Sequence, residues 1–447
     1  MLRRLLVLTA ASLVLAAPAL AAEPGVVPDL SWGITADEQR RESTLLREMG
    51  ARWARIHVQW KHVEPALPGT YDPWWLAHLD GAVAAARDGN AKVVLMVYDA
   101  PAWSSGSAQR STPRDPADYA RFVAMLAGRY AGQVAAYEIW NEQNTSRFWT
   151  SPSPTAYTTL LAAAHRAVKD VDPVAKVVFG GLSTNDFAYV EAALAAGAGP
   201  SFDALAVHPY GYCGTEAPDV IRRGADGRLA RDSFLGYREV RASMLARGIA
   251  KPIWVTEFGW TTTTVPCNPG AGVWQGGVSE AAQAEYLGRA FRLFDLDPYV
   301  QVAIAYNLRN NYWSLDADDP ESRYGLLYSD FSPKPAYAAF QTYAGGTSPE
   351  PPTAPAEAPS VRLTSPVEGA VVRGSISMTA TATDDERVTK VVFWVNDTLV
   401  ASDTTAPYSA TWKAPRKAYS GTYWLSAVAY DAGGRVDKDV VTITRSR

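Results

Sequence analysis

Two glutamates stand where long apolar runs stop. Glu142 closes the run AAYEIWNE, and Glu257 sits at the end of the apolar run in PIWVTEFGW. Each run reads as a strand buried on both faces, so each carboxylate is carried to a rigid rim rather than to a free loop. A lone glutamate in such a place is ordinarily solvated or ion-paired. Two at one mouth can do more. One, kept protonated, gives its proton to a leaving oxygen; the other, kept ionised, attacks the carbon or activates water. That division of labour cleaves a glycosidic bond, and it needs surroundings that push the two pKa values apart.

The elements that carry these residues alternate along the chain. Apolar runs predict strands at 29–34, 53–58, 92–98, 135–140, 176–181, 204–208, 253–257 and 302–307. Amphipathic segments between them predict helices at 37–49, 74–88, 116–130, 154–171, 187–196, 232–247, 280–296 and 335–343. Eight strands, each followed by a helix, make the α/β pattern of a (β/α)8 TIM barrel. A doubly wound open sheet is the alternative, but no G-x-G-x-x-G follows the first strand. In a barrel the active site lies at the C-terminal ends of the strands. Glu142 ends the fourth strand and Glu257 the seventh.

Around this core the sequence suggests three further segments. Arg3 and Arg4, an apolar run over 5–17 and the PALA segment at 18–21 read as a signal peptide, so residues 1–21 are expected to be removed and the protein secreted, to the periplasm or beyond. Residues 346–360 (GTSPEPPTAPAEAPS) read as an extended proline-rich linker after a catalytic domain over 22–345. Residues 361–447 alternate with period two and read as a small all-β immunoglobulin-like sandwich. Trp394, Trp412 and Trp424 of this part suit either a glycan-binding face or the sandwich core. No later run is long enough to span a membrane.

Composition narrows the partners. A net charge of -4 leaves no basic footprint for nucleic acid. The only two cysteines, Cys213 and Cys267, follow the sixth and seventh strands and are expected to form one disulfide in an oxidising compartment. The five histidines show no metal-ligand spacing with them, so no metal or other cofactor is expected.

Trp140-Asn141-Glu142 together with Thr256-Glu257-Phe258-Gly259-Trp260 resembles clan A of the glycoside hydrolases over about residues 29–345. The resemblance implies that Glu142 is the acid/base and Glu257 the nucleophile of a retaining mechanism. It implies that Arg55 holds the nucleophile ionised, that Asn141 bonds the sugar 2-hydroxyl, and that Tyr210 or His208 touches the nucleophile. An ordinary ion pair of Arg55 with Glu138, and a core role for His208, are the competing readings. Trp103, Trp313 and Trp260 are candidate sugar platforms, with Trp149 behind them. Many clan members carry a Trp at the end of strand eight, where this chain has Tyr306 or Asn307. The segment 324–340 is similar to the ending of family 39 and its neighbours. These include secreted bacterial exopolysaccharide hydrolases and β-xylosidases. Arg309 and Arg323 suit either an acidic sugar or solvent. The expected function is a secreted monomeric glycosidase acting on a polysaccharide or oligosaccharide, with the terminal domain contacting glycan or a cell surface. A transglycosylase and a non-catalytic glycan-binding protein are the rival readings.

Overall fold

The computed structural model describes residues 22–31, 34–107, 112–267, 276–310, 320–345, 359–384, 387–395, 398–413, 421–431 and 436–446. The segments read as a leader and as most of a linker, and Trp313, fall outside them.

Eight parallel strands close into a barrel in chain order. They are β1 (Glu23–Val26), β2 (Trp53–Gln59), β3 (Lys92–Tyr98), β4 (Val134–Asn141), β5 (Lys176–Ser183), β6 (Ala204–His208), β7 (Ile253–Phe258) and β8 (Val300–Ala305). The helices that follow them in turn are α1 (Ala36–Met49), α2 (Pro73–Asp88), α3 (Pro116–Arg129), α4 (Pro154–Val171), α5 (Phe187–Ala195), α6 (Tyr237–Leu245), α7 (Glu280–Asp295) and α8 (Pro335–Ala344). Their starts are written in the sequence. Thr35 and Glu38 make a capping box on α1, and Asp72, Asp115, Ser153, Asp186 and Ser279 each accept a backbone N–H of the helix they precede.

The first strand is the one misread. It is Glu23–Val26, pairing with β2 and β8, while Asp29, Leu30 and Ser31 form a turn. Pro24 and Gly25 are poor strand formers, and only closure of the barrel against two neighbours makes this segment extend. The expected helix at 232–247 is also shorter; it begins at Tyr237 after a single tight turn over Phe234–Gly236.

The barrel interior is layered by the two-residue period of its strands. Val94, Ala136, Val178, Ala206, Trp254 and Trp53 fill the lower layers, with the two indoles edge to face at 4.8 Å. One step up, the same inward positions turn polar: Arg55 after Trp53, Glu138 after Ala136, His208 after Ala206 and Thr256 after Trp254. All four are fully buried. Apolar layers therefore carry a charged floor directly beneath the mouth.

The C-terminal part is an immunoglobulin-like sandwich of β9 (Ser360–Ser365), β10 (Val371–Val372), β11 (Ile376–Thr383), β12 (Val388–Val395), β13 (Thr398–Asp403), β14 (Tyr408–Trp412), β15 (Gly421–Asp431) and β16 (Val436–Arg445). One sheet runs β10-β16-β15-β12-β13 and the other β14-β11-β9. Pairing is antiparallel except between β10 and β16. Trp412 packs on Tyr423 at the edge of its core, whereas Trp424 points out of the sandwich and is 39% exposed. No helix among the described residues is long and apolar enough to cross a membrane.

Candidate active site

Arg55 is the hub of the mouth. Its Nε and Nη2 donate to the two oxygens of Glu138 (2.7 and 3.2 Å), its Nη1 donates to Glu257 Oε1 (2.5 Å), and Nη2 also reaches Asn141 Oδ1 (2.9 Å). Both readings of Arg55 therefore describe one network. Burial works against its charge, yet Glu138 and Glu257 together raise its pKa above the ordinary value. Burial likewise opposes the charge on Glu257. His208 and Arg55 overcome it and bring that carboxyl down to about 2.

Tyr210 donates to the other oxygen, Glu257 Oε2 (3.1 Å). Burial pushes the Tyr210 phenol up, so it remains a donor. Glu257 is thus clamped through both oxygens by groups that favour its anion.

His208 links the two carboxylates. Its Nδ1 lies 3.2 Å from Glu142 Oε1 and 3.7 Å from Glu257 Oε2. Nε2 lies 3.1 Å from Thr256 Oγ1, and that hydroxyl donates to Glu138 Oε1 at 3.0 Å. With the hydroxyl proton spent on Glu138, Nε2 is the donor to Thr256, and Nδ1 is turned towards Glu142. One oxygen each of Glu142 and Glu257 and one nitrogen of His208 all lie within 4.8 Å of one another. Three such atoms also suit a cation. However, the Arg55 guanidinium at Glu257 already supplies the buried positive charge, so the set suits proton transfer instead.

The backbone makes room for this arrangement. Trp140 (φ 73°) and Glu142 (φ 43°) lie in the left-handed region. The turn at Trp140 breaks the two-residue alternation of β4, so the indole leaves the barrel and packs on Tyr119 and Trp149. Asn141 then faces Arg55, and Glu142 faces the mouth. Gly181, on the neighbouring β5, leaves the space that His208 fills; a Cβ there would collide with the imidazole.

The cleft above holds about 1380 Å³ and is lined by Asn141, Glu142, Tyr210, Glu257, Tyr306 and Tyr324 among others. Tyr306, just past the end of β8, lines the cleft, and its ring meets Tyr324 edge-on at 5.3 Å. Trp103 and Trp260 are not part of this lining. Trp103 gives its N–H to the Glu64 carbonyl and packs on Trp60, while Trp260 is buried, stacked on Phe234 and bonded to the Glu216 carbonyl. Trp103 is half-buried, whereas Trp260 and Trp149 are buried. Arg309 is buried against Asp29 (3.2 Å), and neither it nor Arg323 lines the cleft.

Residues the sequence reading missed include His57, Thr256 and the pair Arg147–Glu321. His57 lines the cleft two residues after Arg55, on the same inward face, and its Nε2 accepts from Arg55 at 3.0 Å. Burial and Arg55 lower its pKa to about 3, so it is neutral. The strand period alone pointed to it. Arg147 and Glu321 join the loops after β4 and β8 at 3.2 Å, a contact between distant segments that no local pattern reveals.

Cys213 and Cys267 form a disulfide, with Cα atoms 5.5 Å apart, that ties the loop after β6 to the loop after β7. It closes a loop with a sequence separation of 54. Replacing both cysteines by serine is expected to cost about 2–4 kcal/mol in urea unfolding. An unchanged midpoint would show that the bridge does not restrain the fold.

A pair of carboxylates at the C-terminal mouth of a (β/α)8 barrel, one clamped as an anion and the other facing a histidine, defines a glycoside hydrolase of clan A. Residues 22–318 match the cellulase family, glycosyl hydrolase family 5, and the chain belongs to that family. Residues 359–438 match the bacterial Ig domain. Among solved structures, a family 39 glycoside hydrolase from Bacteroides cellulosilyticus WH2 aligns at 20% identity and TM-score 0.57, over 88% of this chain and 79% of that one. A monomeric β-xylosidase from Caulobacter crescentus CB15 aligns at 17% identity and TM-score 0.54, over 92% and 74%. Bacteroides uniformis β-glucuronidase 2 aligns at 16% identity and TM-score 0.51, over 95% of this chain but 46% of that one. At these identities the likeness is one of fold. No curated protein matches the sequence.

Proposed function

We propose that the protein is a secreted, retaining glycoside hydrolase that cleaves β-linkages of a polysaccharide. The observation that carries the reading is the asymmetry of two carboxylates whose oxygens lie within 4.8 Å. Glu257 is held ionised by Arg55 and Tyr210, and Glu142 lies beside His208 Nδ1 at 3.2 Å. Glu257 attacks the anomeric carbon while Glu142 passes its proton to the departing glycosidic oxygen. The C–O bond to the leaving group breaks as the bond to Glu257 forms. Water, deprotonated by the now anionic Glu142, then displaces Glu257. The anomeric carbon is inverted twice, so its configuration is kept. An inverting enzyme needs a gap of about 6.5–9.5 Å to admit water between the carboxyl groups. Asn141 presents its Oδ1 to Arg55, which leaves its amide N–H groups to bond a sugar hydroxyl. The leader and the disulfide support export.

Glu142→Ala separates the two steps. On glycosides with poor leaving groups, kcat/KM should fall by about 10²–10⁴-fold. On dinitrophenyl glycosides, which need no proton, the first step should be nearly spared, and added azide should speed turnover by taking the place of water. Equal losses on both substrate types would remove Glu142 from the acid role.

The acid limb is set by Glu257. Its pKa falls from 4.5 to about 2 on folding, so the fold favours the anion. That stabilisation is present above the unfolded value and is lost as pH falls through about 2. The acid limb of kcat/KM should therefore lie well below pH 4.5; a limb at or above that value would contradict the clamp.

A further inference from the structure

A sandwich of two sheets buries one face of each and leaves the other in water. The larger sheet does not obey this. On β15, Tyr423, Leu425, Ala427 and Ala429 point into the sandwich core, so Ser426 and Val428 point outwards. They are only 7% and 9% exposed, and Val392, which pairs with Val428 from β12, is 7% exposed.

The barrel rests on this face at the Trp424 end of β15 and lies near it at the Tyr430 end. At one end the Trp424 ring lies on Gly227, so close that a Cβ at Gly227 would stand 2.9 Å from Trp424 Cη2. The Arg223 guanidinium lies 5.7 Å from the same ring. At the other end, Tyr430 lies within electrostatic reach of Asp219 and of Arg289 on α7, which are themselves ion-paired.

Gly227 belongs to a hairpin between β6 and α6, closed by the Arg223–Leu229 bridge and by the Arg223 side chain on the Gly227 carbonyl (2.9 Å). Arg228 anchors its base to Glu191 (2.9 Å) and Glu239 (3.1 Å). Its other side, at Gly224, Ala225, Asp226, Leu229, Ala230 and Arg231, is a wall of the catalytic cleft. The tip carries two glycines, Gly224 and Gly227, and it is at the tip that Trp424 rests.

We propose that the immunoglobulin-like domain is a built-in brace of the cleft: Trp424 is a positioning residue that holds the 222–230 hairpin in place, so that an extended glycan chain can lie against it. The inference rests on the glycosidase reading for the glycan and on the packing alone for the brace. A polymer that runs along the wall feels the brace. A small aryl glycoside held only at Glu142 and Glu257 does not. The domain thus acts inward, on its own enzyme.

Hydrogen exchange on the full-length protein tests the brace without any substrate. In Trp424→Ala, the amides of Gly224, Gly227 and Ala230, which are bonded within the hairpin, should exchange at least about 10-fold faster than in the wild type. Trp424→Phe should restore most of the protection. Gly227→Asn tests the same contact from the barrel side, since asparagine tolerates φ 81° but its side chain displaces the indole. It should loosen the hairpin equally and leave the sandwich strands protected. Unchanged hairpin exchange in Gly227→Asn overturns the brace, even if Trp424→Ala disturbs its own domain. On a responsive polymer, KM should rise about 10-fold in both variants with kcat and aryl-glycoside turnover unchanged. A loosened hairpin with an unaltered polymer KM overturns the role in holding glycan. A protein that cleaves no glycan at all would still show the exchange effect, so the two readings fail separately.

Discussion

Glu257→Gln is expected to lower kcat/KM on a responsive glycan by about 10⁴-fold or more, with the fold intact. The substitution keeps the size and the oxygen that accepts from Arg55, and Glu138 still neutralises the guanidinium. What disappears is the anion that attacks carbon. Reducing-end release should be measured on a panel of plant and bacterial β-glycans, exopolysaccharides included, with wild type and variant side by side. The glycan on which only the wild type responds names the substrate class. Equal release by both proteins would mean that the site lies elsewhere.

Arg55→Met should damage both stability and catalysis. The guanidinium is fully buried and serves Glu138 and Glu257 at once. Removing it leaves the Glu138 and Glu257 carboxylates without their shared cation, and uncompensated buried charge costs about 3–5 kcal/mol. Urea unfolding reads this directly. Loss of the clamp should also move the acid limb of kcat/KM up, because burial then raises the Glu257 carboxyl with less to oppose it. Arg55→Lys should rescue little. One ammonium cannot span the four acceptor atoms that the planar fork reaches on Glu138, Glu257 and Asn141. A variant as stable as the wild type, with an unmoved acid limb, would show that the network is ornamental.

Much of this was legible before the structure because buried parallel strands are continuous apolar runs. The ranges 92–98, 204–208 and 154–171 coincide with β3, β6 and α4. The catalytic pair stood out for the same reason: each glutamate interrupts such a run at its C-terminal end. The first strand was hidden because Pro24 and Gly25 weaken the strand propensity of Glu23–Val26, which extends between β2 and β8. Asn141 and Glu142 both face the mouth only because Trp140 adopts a positive φ, which no residue type announced. The aromatic residues are harder to read for a different reason. An indole in a loop is as useful for bracing that loop as for stacking on sugar, and Trp103 and Trp260 give their N–H groups to the Glu64 and Glu216 carbonyls. Tyr306 and Tyr324 line the cleft instead, brought together by segments that share no local pattern.

The account's central claim is a covalent glycosyl-enzyme on Glu257. The most direct measurement is intact and peptide mass spectrometry after incubation with a set of dinitrophenyl 2-deoxy-2-fluoro-β-glycosides. The account predicts one added sugar per protein, carried by the peptide that contains Glu257 and absent in Glu257→Gln. A turnover-competent enzyme that gains no such mass, or gains it on another residue, would contradict it.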